Sequence, residues 1–200
     1  MEENSVDSRM QQRQIVGRWL EYEGELRAGV LRVLLVTAFY AAQLFNTLSA
    51  VGPSADEELF HRRVTFIAAA WLCLSLGVLV AIARHWLPVG LKYVVTTVDL
   101  LLLLAVAKLG SGADSPLVLA FGLIIVMSAL RGSLPLVWYT TAGGVLSYLL
   151  LSRGASEFLR DSVVEITLIA TGVIVGQLLR MIRQVMEESS LRERHAREVA

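Results

Sequence analysis

The chain has one cysteine, three histidines and only four prolines in 200 residues, and each scarcity excludes something. A single thiol, Cys73, cannot close an intrachain disulfide or build a cysteine metal site. His61, His85 and His195 are too far apart for metal-ligand spacing, and His195 lacks the downstream proline and apolar pattern of a phosphoacceptor histidine. Basic and acidic residues balance at 18 each, so the net charge is zero and no bulk attraction draws the chain to nucleic acid. There is no glycine-rich phosphate loop, no Ser/His/Asp set and no pair of catalytic carboxylates. Nothing in these residues predicts a catalytic, cofactor-binding or metal site. After Pro135 there is no proline at all, so no residue interrupts a helix from Ser162 to Ala200.

Apolar residues are what the chain has in abundance. They make up 55% of it, mean hydropathy is +0.60, and they come in long runs without helical or strand periodicity. Such runs are solvated by lipid or by each other. Six are recognisable: Val30–Val51, Val64–Ala83, Tyr93–Leu109, Leu117–Leu130, Leu134–Leu151 and Val163–Leu179. All but the fourth hold about 17 to 22 residues, enough for a hydrocarbon core of roughly 30 Å. The fourth reaches only about 21 Å, a short span or half of a helical hairpin with the fifth. Ser115-Pro116 before it predicts a helix start, with Ser as N-cap and Pro in the first turn.

The fold expected is therefore an all-α, polytopic bundle of six transmembrane helices. Placing the N-terminus in the cytoplasm puts thirteen Lys and Arg on the inner side, including Arg32, Arg84, Lys92 and Arg131, against five outside. That is the positive-inside pattern, and it places both termini in the cytoplasm of a cell inner membrane. Trp86, Tyr93 and Trp138 fall near the expected interfaces, whereas Trp71 does not fit the belt. The outer loops are too short for a folded sensor domain. The division expected is residues 1–29 as a cytoplasmic amphipathic helix, 30–179 as the membrane domain and 180–200 as a cytoplasmic helical linker.

Polar residues within the runs are the candidate functional groups. Asp99 is the costliest, since a carboxylate in a span costs about 2.5–3.5 kcal/mol and normally faces the bundle interior. Thr96 lies one turn before it on the same helix, and Ser75, Thr140, Thr141 and Thr171 are its expected hydrogen-bond partners. Gln43, Asn46, Thr47 and Ser49 make the end of the first run moderately polar, consistent with interhelical bonding. Gly172 and Gly176 form a small-xxx-small pair and Gly143-Gly144 a second close-packing point, within one bundle or between two.

Two helices flank the membrane domain. Ile15, Trp19, Tyr22, Leu26 and Val30 recur at spacings that give Ser8–Val30 an apolar face. Such a helix either lies on the membrane or continues into the first span. In the tail, Leu178, Ile182, Val185 and Ser189 follow a 4-3-4 seam, the opening of a parallel coiled coil and hence of a homodimer.

The stretches Val98-Asp99-Leu100, Gly110–Leu117 and Ser128-Ala129-Leu130-Arg131 resemble the multi-pass input regions of bacterial signalling proteins. There an Asp-Leu span, a Gly-Gly-x-x-Ser-Pro outer turn and an Ala-x-Arg inner turn precede a coiled coil, and this chain departs from the double glycine with Gly110-Ser111-Gly112. The resemblance implies a sensor module of a histidine kinase or nucleotide cyclase, with a cytoplasmic effector in cis beyond Ala200 or a partner in trans. A competing expectation is a self-contained membrane protein, a scaffold or transporter-like subunit with no effector in cis.

Overall fold

The computed structural model describes residues 2–49, 55–84, 90–110, 117–152 and 158–199, with side chains for 22–45, 47, 58–84, 90–110, 117–152, 162–186, 188 and 189. The expected helix start at Ser115-Pro116 lies outside them, as do His85 and Trp86 and the side chains of Ile15, Trp19, Asn46, Ser49 and His195. Six α-helices and no strands are found among the described residues. They are α1 (Glu2–Ser49), α2 (Ala55–Ala83), α3 (Leu91–Leu109), α4 (Val118–Leu130), α5 (Leu134–Ser152) and α6 (Phe158–Val199).

Four of these, α1, α2, α5 and α6, are long and apolar enough to cross a membrane. The other two depart from the even series of runs for different reasons. Helix α3 has 19 residues but carries Lys92, Asp99 and Lys108, while α4 has 13 residues and rises only about 20 Å. Leu117 occupies the N-cap of α4. Long apolar helices of this kind belong to a membrane-embedded protein.

Helix α1 runs 48 residues without a break, so no backbone boundary separates residue 29 from residue 30. Its amphipathicity is reversed from the expectation for a water-exposed helix. Leu26, Val30 and Leu34 point out of the bundle, whereas Glu25, Ala28, Arg32 and Val36 are buried. Among the described residues of the expected apolar face, Tyr22 packs inward, beside Val78, Ile82 and Val95. In lipid this reversal is the favourable arrangement, because outward charge has no water to meet.

The bundle is antiparallel between α1 and α2. Tyr40 bonds Thr65 at 3.1 Å and Thr47 meets the His61 ring at 3.4 Å. The core is formed chiefly by α3, α4, α5 and α6 around Phe121, Ile125, Val137 and Tyr148. Tyr139 of α5 meets Tyr93 of α3 edge-on at 5.3 Å and bonds Thr97 at 2.7 Å. Outward-facing residues are themselves apolar, Phe45, Phe66 and Leu119 among them, the surface a lipid-solvated bundle presents.

Helices α5 and α6 approach closely at Gly172, where a Cβ would lie 2.2 Å from Thr141 Oγ1. Gly143 likewise faces Leu100 of α3, with its Cβ position 2.6 Å from Leu100 Cδ1, whereas Gly144 and Gly176 have only ordinary contacts. Both close approaches therefore pack helices of one chain against each other. Gly172→Ala should lower stability by about 1–3 kcal/mol through overpacking. Gly77→Ala, which meets nothing within 4 Å, should be neutral or gain up to about 1 kcal/mol of helix propensity. Thermal unfolding of the two variants in detergent checks the contrast, and equal behaviour would show that the α5–α6 contact is loose.

Candidate functional site

Four charges and an indole converge inside the bundle from α1, α2, α3 and the turn after α4. Arg32 Nε lies 2.8 Å from Asp99 Oδ2, and Trp71 Nε1 donates to Asp99 Oδ1 at 2.8 Å. Arg131 Nε lies 3.2 Å from Glu25 Oε2. Its Nη1 donates to Thr96 Oγ1 at 2.8 Å and to the Lys92 carbonyl at 3.0 Å. All four charged side chains are buried, none more than 7% exposed. Trp71, the aromatic that fitted no interface belt, is thus a ligand of the carboxylate.

Helix geometry explains how α1 supplies both a base and an acid. Glu25 and Arg32 are seven residues apart, two turns, and so share one stripe about 10.5 Å long. Glycine at 24 lets that stripe come close to the α4–α5 turn, since a Cβ there would lie 2.8 Å from the Leu130 carbonyl oxygen and 3.2 Å from Arg131 Cα. The turn itself needs Gly132, whose φ of +63° lies in the left-handed region. On its far side, Arg183 of α6 donates to the Gly132 carbonyl.

The hydroxyls expected around Asp99 are occupied elsewhere. Ser75, Thr140, Thr141 and Thr171 each donate to the carbonyl four residues back, those of Trp71, Leu136, Val137 and Thr167. A hydroxyl in an apolar helix finds that acceptor without any partner helix. A carboxylate has no such local option, and draws a guanidinium and an indole instead. Thr96 does join the cluster, donating to Lys92 O at 2.7 Å while accepting from Arg131. Arg32, Glu25 and Arg131 escaped the sequence reading because they stand at the ends of apolar runs, where Arg looks like a topology signal. The 25–32 spacing was the available clue.

Above the charges lies a cavity of about 510 Å3 between α1, α2, α3 and α4, with Arg32, Asp99, Thr96 and Arg131 on its polar wall. The remaining walls are apolar apart from Tyr40, Gln43 and Ser128. Phe39 of α1 and Leu123 of α4 line it and are also exposed. No His, Cys, Asp and Glu group able to hold a metal ion is found among the described residues. The four residues of the tail seam, Leu178, Ile182, Val185 and Ser189, are on the surface, apart from this cluster.

No family model, curated protein or solved structure matches the chain.

Leaving one buried charge alone is expensive, whereas removing both partners is not. Asp99→Asn should therefore destabilise the bundle by about 3–5 kcal/mol, and Arg32→Gln combined with Asp99→Asn should recover most of that loss. Unfolding titrations of wild type, both single variants and the double variant form the cycle. Additive losses would mean that Arg32 and Asp99 are not coupled.

Proposed function

We propose that this chain is a membrane-embedded sensor and signal-transmission domain of a bacterial receptor, driving a cytoplasmic effector such as a histidine kinase through α6. The observation that carries the reading is the course of α6. It is a single helix of 42 residues, apolar over Ser162–Met186 and charged beyond, tied by Arg183 to the turn that holds Arg131. A stiff rod of this kind carries a small rotation or shift without loss, which a flexible tail does not.

Six membrane passages with both termini in the cytoplasm belong to this proposal. The 19 residues of α3 reach about 28 Å. Lys92 and Lys108 stand at its ends, where long side chains extend to the interface, and Asp99 is paired inside. Helix α4 and the Arg131–Ser133 turn form a short hairpin with α5. The inner side then holds Arg84, Lys92, Arg131, Arg180 and Arg183, in keeping with the positive-inside bias.

In this mechanism the polar cluster is the sensing element. Any displacement of Arg131 moves the α4–α5 turn, whose Gly132 carbonyl is held by Arg183, and the movement passes into α6. Outward-facing Leu178, Ile182 and Val185 supply a surface on which two copies pair, turning rotation of one helix into a change of register between two.

Single cysteines at Ile182 and Val185, with Cys73→Ser, test the dimer in native membranes. Oxidation should give a covalent dimer at one or both positions, and no dimer at either would defeat the paired-helix relay. Reporter fusions at residues 1 and 200 should both be active only as cytoplasmic reporters. A periplasmic signal from either end would overturn the six-passage topology.

A further inference from the structure

The Arg32 guanidinium is buried and lines the cavity, yet none of its nitrogens has a hydrogen-bond partner among the described residues. Its Nε is close to Asp99 Oδ2 but its N–H is not aligned on that oxygen. The Nη1 and Nη2 donors have no acceptor of their own. A guanidinium carries five N–H donors, and leaving them unmatched away from water is among the costliest arrangements a protein can hold. The donors border a chamber large enough for a small lipophile whose other walls are apolar apart from Tyr40, Gln43 and Ser128.

We infer that this cavity binds a neutral lipophile bearing a carbonyl oxygen, which accepts hydrogen bonds from Arg32 while its hydrocarbon body fills the chamber. The charge balance decides between neutral and anionic occupants. Arg32 and Arg131 are already offset by Asp99 and Glu25, so the cluster sums to zero. An anion would add an uncompensated charge beside Asp99, at high cost in a low-dielectric interior. A carbonyl meets the donors and leaves the balance unchanged. A hydrocarbon without an acceptor fills the space but leaves the donors as they were.

Access fits the same occupant. Phe39 and Leu123 line the cavity and are also exposed on the apolar exterior of the bundle, where a membrane-embedded protein meets acyl chains, so the ligand arrives from the bilayer. Two sources share this chemistry: a diffusible long-chain ketone, and the ester carbonyl of a neutral lipid. The inference does not depend on the chain being a sensor, because it concerns occupancy of the cavity and not its consequence.

The test uses the full chain in phosphatidylcholine nanodiscs and a long-chain methyl ketone carrying an alkyl diazirine. Photolabelled peptides should map to cavity-lining residues such as Phe39, Val64, Leu103 and Ile124. Unlabelled long-chain methyl ketone and fatty-acid methyl ester compete, and their order tells a free ketone from a lipid ester as the preferred source. An alkane of equal length should compete about tenfold less well, the loss expected for a hydrogen bond to a charged donor. The free fatty acid at neutral pH should also be weaker than its methyl ester.

Arg32→Lys keeps a cation against Asp99 but replaces the fork with an ammonium, and should reduce ketone labelling about tenfold. Ala68→Leu fills the cavity from α2 and leaves every charge in place. It should abolish labelling while thermal unfolding shows an intact bundle, so the inference remains testable even if Arg32→Lys fails to fold. Absence of labelling in the cavity, an alkane that competes as well as the ketone, or a fatty acid that competes better than its ester would each overturn it.

Discussion

The ion pair between Arg32 and Asp99 is the constraint around which the rest of the bundle is arranged. Neither charge has water to fall back on inside an apolar bundle, so each must be turned inward and toward the other. That requirement fixes the rotation of α1 about its own axis. Once Arg32 faces Asp99, Glu25 faces the same way two turns earlier, and Leu26, Val30 and Leu34 are left to the lipid. Arg131 then has a carboxylate waiting opposite the α4–α5 turn. Trp71 closes the second carboxylate oxygen and fixes the rotation of α2. One pair thus sets the facing of three helices and the position of a turn.

A second rule separates the residues that build this cluster from those that do not. Hydroxyls in an apolar helix satisfy themselves on the carbonyl one turn back, and Ser75, Thr140, Thr141 and Thr171 all do so. They need no tertiary partner and specify none. The buried charges of the cluster pair between helices instead. Thr96 stands between the two classes, donating locally while accepting from Arg131. Specificity in this fold therefore rests chiefly with Glu25, Arg32, Trp71, Asp99 and Arg131, while Thr65 and Thr97 donate locally and also bond a tyrosine of a neighbouring helix.

That division also explains what could be read from the residues alone. The helical class, the long apolar elements and the continuous α6 were legible, because run length and the absence of proline after Pro135 depend only on local composition. Asp99 stood out, since a carboxylate inside an apolar run is anomalous wherever it lies. Its partners did not. Arg32 and Arg131 stand at the edges of runs, where the positive-inside pattern already accounts for arginine, and the hydroxyls nearby in sequence were the easier choice. On the apolar face read over residues 15–30, Leu26 and Val30 point outward while Tyr22 packs inward, and in lipid an outward apolar side chain is the favourable arrangement. The cavity was beyond reach, because it depends on how four helices diverge beyond a contact that no single segment encodes.

The shortness of α4 gives the last link. A helix of 13 residues ends after about 20 Å, and Arg131 just past its end lies level with the first turns of α3, where it bonds Thr96 and Lys92. The polar groups of this turn are met by protein. The Gly132 N–H bonds Ala129 O at 2.8 Å, Gly132 O takes Arg183, and α1 closes over Leu130 at Gly24. The turn is thereby gripped by α1, α3 and α6 together, each through a group it cannot release without stranding a charge or a carbonyl. Through Arg131, Gly132 and Arg183 the polar wall of the cavity is joined to α6.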